Sequence, residues 1–335
     1  MIPDKERRAM HVLITGAAGM IGRKLIGALV KTGGLTDRPL DALTLVDVVA
    51  PAAPEGFSGA LDARACDFAA PGEAEALVAR RPDLIFHLAA IVSGEAEADF
   101  DKGYRINLDG TRRLFEAIRA AGGGYKPRVV FASSLAVFGA PFPDRIGDDF
   151  APAPLTSYGT QKAMDELLLA DYSRKGFLDG VGLRLPTICI RPGAPNKAAS
   201  GFFSNILREP LVGKEAVLPV PEETRHWHAS PRAAVGFFLR AASMDLSTLG
   251  GRRSLNMPGL SATVAEQIAA LARVAGPKAA ALIRRQPDPQ IATIVQGWPR
   301  DFDARRAYEL GFRAEATFDE IIRIHIEDEL GGRIA

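Results

Sequence analysis

A short apolar stretch, His11-Val12-Leu13-Ile14-Thr15, runs directly into Gly16-Ala17-Ala18-Gly19-Met20-Ile21-Gly22, and an apolar-periodic segment continues from about Met20 to Lys31. Read as strand, turn and helix, this order leaves few folds open. Gly16 permits the tight turn, Gly19 lets backbone approach a pyrophosphate, and Gly22 lets the helix lie close on the strand. The first turn of the helix, through Met20 and Ile21, offers unpaired N–H donors and a positive dipole end to phosphate oxygens. The plain alternative is a glycine-rich turn in an α/β domain that binds nothing. The strand–turn–helix context favours binding.

The rest of the first half alternates in the same way. Strands are expected at Ala42 to Val48, Asp83 to Leu88, Arg128 to Ser133 and Gly182 to Leu185. Between them, Asp99 to Ala121 reads as one long amphipathic helix and Ser157 to Lys175 as another. Strands separated by helices of this length imply βαβ units, a parallel sheet and right-handed crossovers that put helices on both faces. The expected fold is α/β, a Rossmann-type doubly wound parallel sheet over residues 10–190. A smaller C-terminal α/β substrate lobe is expected over residues 191–330, with chain segments free to interleave. Its texture is richer in Pro, Gly and Ser, with a short strand at Ala216 to Val220 and helices at Arg232–Met244, Val264–Val274 and Phe318–Leu330. Ala304 to Leu310 reads as a helix with Asp303 as its N-cap and Gly311 as its stop.

Asp47 ends the second strand. An acid there can accept both hydroxyls of an adenosine ribose and repels a 2′-phosphate, which favours NAD over NADP. A solvated loop aspartate is the plain reading. Asp67, with Phe68 after it, lies near the end of an expected third strand and is placed to meet an adenine amino group.

Several classes of function are excluded by composition. A net charge of +1 gives no basic surface for nucleic acid. The longest apolar runs, such as Leu84 to Val92, are too short for a bilayer. Met1 to Met10 is charged and lacks the apolar core of a secretion signal, so a frayed tail is expected, with Met10 a candidate start. Cys66 and Cys189 fit a reduced, cytoplasmic chain. No Cys/His spacing resembles a zinc site. His226 and His228, two apart around Trp227, have the spacing of a strand-borne ligand pair, but packing or hydrogen bonding is the more ordinary role, and no metal is expected.

Tyr158 and Lys162 stand four apart in Ser157-Tyr158-Gly159-Thr160-Gln161-Lys162. On a helix they leave the same face, one turn apart. A free phenol titrates near pH ~10, and a fixed ammonium beside it favours the phenolate. The pair can then move a proton to or from an alcohol or ketone. Alone, such a pair is more often a half-buried Tyr beside a solvated Lys.

Together the motifs resemble the extended short-chain dehydrogenase/reductases, which include nucleotide-sugar epimerases and dehydratases. The marks are the Thr15 to Gly22 turn, Asp47, Asp67-Phe68, His87-Leu88-Ala89-Ala90, Asn107 with Gly110-Thr111, Ser133-Ser134 through Gly139, Tyr158 with Lys162, and Arg184 through Ile188. The resemblance covers nearly the whole chain. It implies that Tyr158 is the acid/base and that Lys162 both lowers its pKa and holds the nicotinamide ribose. It further implies that Ser134 hydrogen-bonds the substrate oxygen, that Asn107 supports the sheet edge behind the site, that Leu88, Ala89 and Ala90 line the cofactor, and that Pro186, Thr187 and Ile188 meet the carboxamide. Dehydratases of the family carry an Asp-Glu pair where this chain has Leu135 and Ala136, which cannot transfer protons, so that chemistry is not expected. The chain is most similar to a branch that oxidises C2 of a small four-carbon sugar acid with NAD, on the segments Ala90 to Glu95, Arg191 to Phe202 and Thr224 to Pro231.

The substrate contacts expected from that resemblance are Ser93, Ser200 and Arg225 besides Ser134 and Tyr158. In epimerases the Arg225 position faces a phosphate, and a guanidinium would grip a carboxylate equally well. For Ser93 and Ser200 a loop or turn role weighs evenly, and Arg225 has the alternative of a surface ion pair. Met257 near substrate is weighed against core filling. The helices at 99–121 and 157–175 are apolar on more than one face, which fits the family's four-helix homodimer interface or burial within one subunit. The expected activity is NAD-dependent oxidation of the C2 hydroxyl of a D-erythronate-like acid to the 2-oxo acid. A nucleotide-sugar 4-epimerase with tightly bound NAD is the second expectation, and a non-catalytic NAD-sensing regulator the last.

Overall fold

The strand Met10–Thr15 is buried on both sides, and its side chains divide the molecule into two cores. Val12 and Ile14 point to one face of the sheet, with Leu25, Ile26 and Leu29 of the helix Met20–Thr32 and with Phe237 and Phe238 of the helix Pro231–Ser243. Leu13 points to the other, with Leu114, Phe115 and Ile118 of the helix Thr111–Ala121 and with Leu169 of the helix Ser157–Arg174. That is the period-two alternation of a strand covered on both faces. The structure, a computed structural model, describes residues 9–193 and 200–335. Residues 1–8 of the expected tail and residues 194–199 of the Arg191 to Phe202 segment lie outside the described residues.

Among the described residues the main sheet has eight strands. From one edge the order is Ser254–Asn256, Asp179–Leu185, Arg128–Ser134, Leu84–His87, Met10–Thr15, Arg38–Asp47 and Gly34–Leu35, with Ala60–Ala65 also paired to Arg38–Asp47. The pairings are parallel except that of Gly34–Leu35 with Arg38–Asp47. Strand order reverses at Met10–Thr15, which opens a crevice beyond the carboxyl ends of the strands. Thr15, His87 and Ser134 all end strands on that rim.

Beyond residue 185 the chain builds a three-stranded sheet from Thr187–Ile188, Arg225–Ala229 and Leu260–Thr263, and a two-stranded one from Ala216–Leu218 and Ile283–Arg285. These enclose a third core, with Phe203, Ile206, Leu211, Leu271 and Ile322. The C-terminal half also returns to the main sheet, because Ser254–Asn256 pairs with Asp179–Leu185 and Pro231–Ser243 covers the first core.

Two local expectations are corrected. The stretch 99–121 is not one α-helix: Phe100–Gly103 and Thr111–Ala121 flank a π-helical segment, Tyr104–Gly110. The wider turn contains Asn107, whose side chain is drawn out to other elements. Such segments gather where a side chain has work outside its own helix. Asp303 is not an N-cap. The helix is Arg305–Glu309 with Ala304 as its N-cap, and Asp303 instead accepts from Arg305. The carboxylate that takes a first-turn N–H is Asp148, which accepts from Arg306 N at 2.9 Å.

A buried ion pair joins the sheet to the helix Ser157–Arg174. Arg184 donates from Nε and Nη2 to the Glu166 carboxylate, the latter at 2.7 Å. Glu166 also accepts from Ser133 Oγ at 2.5 Å, and Arg184 reaches Asn256 Oδ1 at 3.1 Å. One network therefore fixes the residue beside Ser134, the helix that carries Tyr158 and Lys162, and the late edge strand. Glu166→Ala would strand the Arg184 charge, and urea denaturation is expected to register a loss of about 3–5 kcal/mol.

Candidate active site

Gly16 has φ of +75°, and a Cβ there would lie 2.7 Å from Ala89 N. No other residue fits that turn. Gly19 stands at the N-cap of the Met20–Thr32 helix, and Gly22 packs on the Gly16 carbonyl. Asp47 closes the other side of the cradle: its carboxylate accepts from Ala18 N at 3.0 Å and Val48 N at 2.7 Å. Asp67 is half-exposed just beyond the strand Ala60–Ala65 and accepts from Arg105 at 2.8 Å. Phe68 is buried, edge-on to His87 with ring centroids 5.2 Å apart.

Under the cradle lies a fully buried polar chain. Thr15 Oγ1 meets His87 Nδ1 at 2.7 Å, and His87 Nε2 meets Thr111 Oγ1 at 2.9 Å. Thr111 donates to the Asn107 carbonyl at 2.5 Å. With that hydrogen committed, the network requires a neutral imidazole that donates from Nε2 and accepts at Nδ1. Burial drives His87 down to about 3, and the Lys162 charge pushes the same way, so it stays neutral. This chain holds the loop after Leu84–His87: Leu88 N donates to the Thr15 carbonyl at 3.1 Å and Ala89 N to Thr15 Oγ1 at 3.3 Å. Asn107 secures the next step of that loop, accepting from Ile91 N at 2.9 Å and donating to Ile91 O at 3.2 Å. It also donates to Gln161 Oε1 at 2.7 Å, which ties the Leu88 to Ala90 loop to the helix of Tyr158 and Lys162.

That helix is capped by Thr156, whose hydroxyl accepts from Gly159 N at 3.1 Å. A Cβ on Gly159 would lie 2.0 Å from the Ala136 carbonyl. Glycine here lets the start of the helix sit against the Ser134–Ala136 turn. Ser134 accepts from Ala136 N at 3.1 Å, which orients its hydroxyl. Burial pushes the Tyr158 phenol up to about 12, while the Ser134 hydroxyl and then the Arg191 charge pull it back. Lys162 is 2% exposed, with Nζ 4.5 Å from the centroid of Phe131 and 5.7 Å from that of Tyr158. Burial lowers its pKa to about 8, against the pull of Asp165 and Glu166.

Thr187 and Ile188 pair with His228 and Ala229, following Pro186 at the end of the sheet. Thr187 Oγ1 lies 2.7 Å from His226 Nε2, and His226 Nδ1 lies 2.7 Å from the Pro299 carbonyl. Burial lowers both histidines, His226 to about 4. Among the described residues no group of three or more His, Cys, Asp or Glu side chains has metal-ligand placement, and no helix is long and apolar enough to cross a membrane.

The expected substrate residues sit on different elements. Ser93 opens the helix Ser93–Ala98. Ser200 accepts from Arg191 Nη2 at 2.8 Å. Arg225 pairs with Glu266 at 3.3 Å and donates to the Ser261 carbonyl at 3.2 Å. It lies three residues ahead of the His228–Thr187 pair, or about 10 Å along the strand. Met257 is fully buried, its carbonyl taking the Trp227 indole N–H at 3.1 Å, so it fills the core. Arg191, which sequence reading left without a role, acts on Tyr158 from 33 residues away. No local spacing signals a contact of that kind.

Residues 12–228 match the NAD dependent epimerase/dehydratase family. The chain is 47% identical over 327 residues to a D-erythronate dehydrogenase of Cupriavidus necator, covering 95% of this chain and 98% of that protein. It is 43% identical over 321 residues to a D-erythronate dehydrogenase of Haemophilus influenzae, covering 96% and 100%. A crystal structure described as the nucleoside-diphosphate-sugar epimerase from Agrobacterium tumefaciens superposes with a TM-score of 0.96 at 69% identity, covering 98% of this chain and 96% of that one.

The Asp47 carboxylate carries a direct expectation. Asp47→Ser should raise the ratio of kcat/KM with NADP to that with NAD by roughly 10- to 100-fold, because a like charge beside the 2′-phosphate is removed. Steady-state kinetics with each dinucleotide measure the ratio.

Proposed function

The chain belongs to the NAD dependent epimerase/dehydratase family and is an oxidoreductase, and from that premise we propose that it oxidises the C2 hydroxyl of a small sugar acid, D-erythronate or a close relative, to the 2-oxo acid. The observation that carries this reading is the convergence of Ser134, Tyr158 and Lys162 on the rim of the sheet beside the glycine turn. The names of the Cupriavidus and Haemophilus relatives support the substrate.

The residues present fit a dinucleotide. The Gly16 turn is a cradle that a Cβ would fill, and Asp47 stands where a ribose would end. Gly16, Gly19, Met20, Ile21 and Gly22 would hold the phosphates, with Asp67, Phe68, Leu88, Ala89, Ala90, Asn107, Pro186, Thr187 and Ile188 shaping the rest. NAD, when bound, supplies the hydride acceptor.

The chain's own part is proton and charge management. Tyr158, as phenolate, takes the proton of the C2 hydroxyl. Ser134 donates a hydrogen bond to the oxygen as it gains charge, a contact whose loss in comparable sites costs ~3 kcal/mol. Lys162 lends its positive charge to the phenolate and its donors to the nicotinamide ribose. Leu135 and Ala136 offer no group to expel water, so the ketone is the end of the reaction. Ser93, Ser200 and Arg225 complete the proposed substrate surroundings. The same reading takes residues 10–190 as the NAD-binding unit and 191–330 as the substrate lobe of a cytoplasmic homodimer. The apolar exposure of Phe100 and Leu167 on the helices concerned supports the dimer.

A second reading, a nucleotide-sugar 4-epimerase, is favoured by the description of the Agrobacterium structure. It requires NAD to stay bound through turnover. A non-catalytic NAD sensor ranks last, since Tyr158 and Lys162 are both present. Four- to six-carbon aldonates are screened by NADH absorbance. The proposal expects NADH from at least one of them, and Tyr158→Phe should lower kcat by about 10²- to 10⁴-fold. Conversion of a UDP- or TDP-sugar with no NADH from any sugar acid would establish the epimerase instead.

A further inference from the structure

Arg191 is fastened at four points. Its Nε donates to the Ile188 carbonyl at 3.0 Å and its Nη2 to Ser200 Oγ at 2.8 Å. Its backbone N–H donates to Ser204 Oγ at 3.0 Å, and its carbonyl accepts from Arg208 Nη1 at 2.8 Å. The guanidinium therefore has a preset direction, and little entropy is left to lose when a ligand arrives.

Among the described residues Arg191 has no counter-charge. The other deeply placed arginines each have one: Arg184 meets Glu166 at 2.7 Å, and Arg208 meets Glu209 at 2.7 Å. No carboxylate pairs with Arg191 among the described residues, and residues 194–199 contain no Asp or Glu. The described groups whose electrostatics are tied to its guanidinium are neutral: the Cys189 thiol, the Tyr158 phenol and the two histidines that burial keeps uncharged. A partly buried cation without a partner is costly, and an anionic ligand would offset that cost.

The location narrows the anion. Arg191 is bonded to the Ile188 carbonyl at 3.0 Å, three residues past Leu185, which pairs with Ser134 on the rim of the sheet, and its charge acts on Tyr158. In a 2-hydroxy acid the carboxylate is bonded to the very carbon that is oxidised. Its anchor must therefore stand beside the phenol that takes the proton, as Arg191 does. Arg225 is occupied by Glu266 and lies farther along its strand.

We propose that Arg191 binds the substrate's carboxylate, next to the C2 hydroxyl presented to Tyr158 and Ser134, and so selects 2-hydroxy acids over neutral polyols. This rests on the sugar-acid reading above. Arg191 touches substrate but no reacting atom, so it sets specificity and registers the C2 hydroxyl against Tyr158.

The test uses the full-length enzyme with NAD and two substrates: the sugar acid, and the polyol in which CH2OH replaces the carboxylate. Arg191→Gln should raise KM for the acid by about 10- to 100-fold, the worth of a charge-assisted contact, with a smaller change in kcat. Its kcat/KM for the polyol should fall by a smaller factor, the part both substrates share through the loss of the Arg191 charge at Tyr158, and Arg191→Lys should recover part of both losses. Equal losses on acid and polyol would reveal a merely structural role and overturn the proposal. An unchanged KM for the acid would also overturn it, and an Arg225→Gln variant with a raised KM would assign the carboxylate there. A wild-type enzyme that oxidises no sugar acid would remove the underlying reading as well, so that outcome is separate from a failure of Arg191 alone.

Discussion

The Lys162 ammonium is held almost entirely out of water, and much of the molecule is arranged to tolerate it. An unpaired charge in a protein interior costs several kcal/mol unless something answers it. Here the face of Phe131 lies 4.5 Å away, and the charges of Asp165 and Glu166 act in its favour. Neither acid is a full partner. Glu166 is committed to Arg184 and Ser133. Burial drives Asp165 well above the usual carboxylate range, with the Lys162 charge pulling it back, and neither of its oxygens has a hydrogen-bond partner among the described residues. The ammonium is thus left available to groups in the cleft, at the cost of a pKa drawn down to about 8.

The phenol beside it tells a related story. The helical spacing implies a lysine that lowers the pKa of Tyr158. In the folded protein desolvation is the larger effect, and the phenol is pushed up to about 12. The downward pull comes from the Ser134 hydroxyl and then the Arg191 charge, which reach the phenol from other elements. The proposed base is therefore set by three separate stretches of chain, around residues 134, 158 and 191. Rigid supports such as the Asn107–Ile91–Gln161 clamp and the Thr15–His87–Thr111 chain keep those stretches in register.

Much of this was legible before folding. Met10–Thr15, Leu84–His87 and Arg128–Ser134 are apolar enough to announce a buried parallel sheet, and the glycine turn needs its strand and helix to make sense. The misses share a cause. The π-helical turn at Asn107 is set by bonds to Ile91 and Gln161, which local periodicity does not record. Asp148 serves the helix Arg305–Glu309 from more than 150 residues away, so the adjacent Asp303 was the natural but mistaken choice. Ser254–Asn256 completes the main sheet across a long excursion through the second half of the chain. Arg225 and Arg191 both stand in recognisable segments, but the bonds of Arg191 to Ile188 and Ser200 and its reach to Tyr158 appear only in the fold.

The proposal at the centre is that the buried Lys162 charge, 5.7 Å from the centroid of the Tyr158 ring, helps Tyr158 act as a base. The pH dependence of kcat/KM for sugar-acid oxidation, in wild type and Lys162→Met, addresses it most directly. A group raised by burial must lose its proton to act, so oxidation should gain as pH rises. Removing the Lys162 charge should move that limb to higher pH and lower the rate at neutrality. Superimposable profiles for the two proteins would contradict the account.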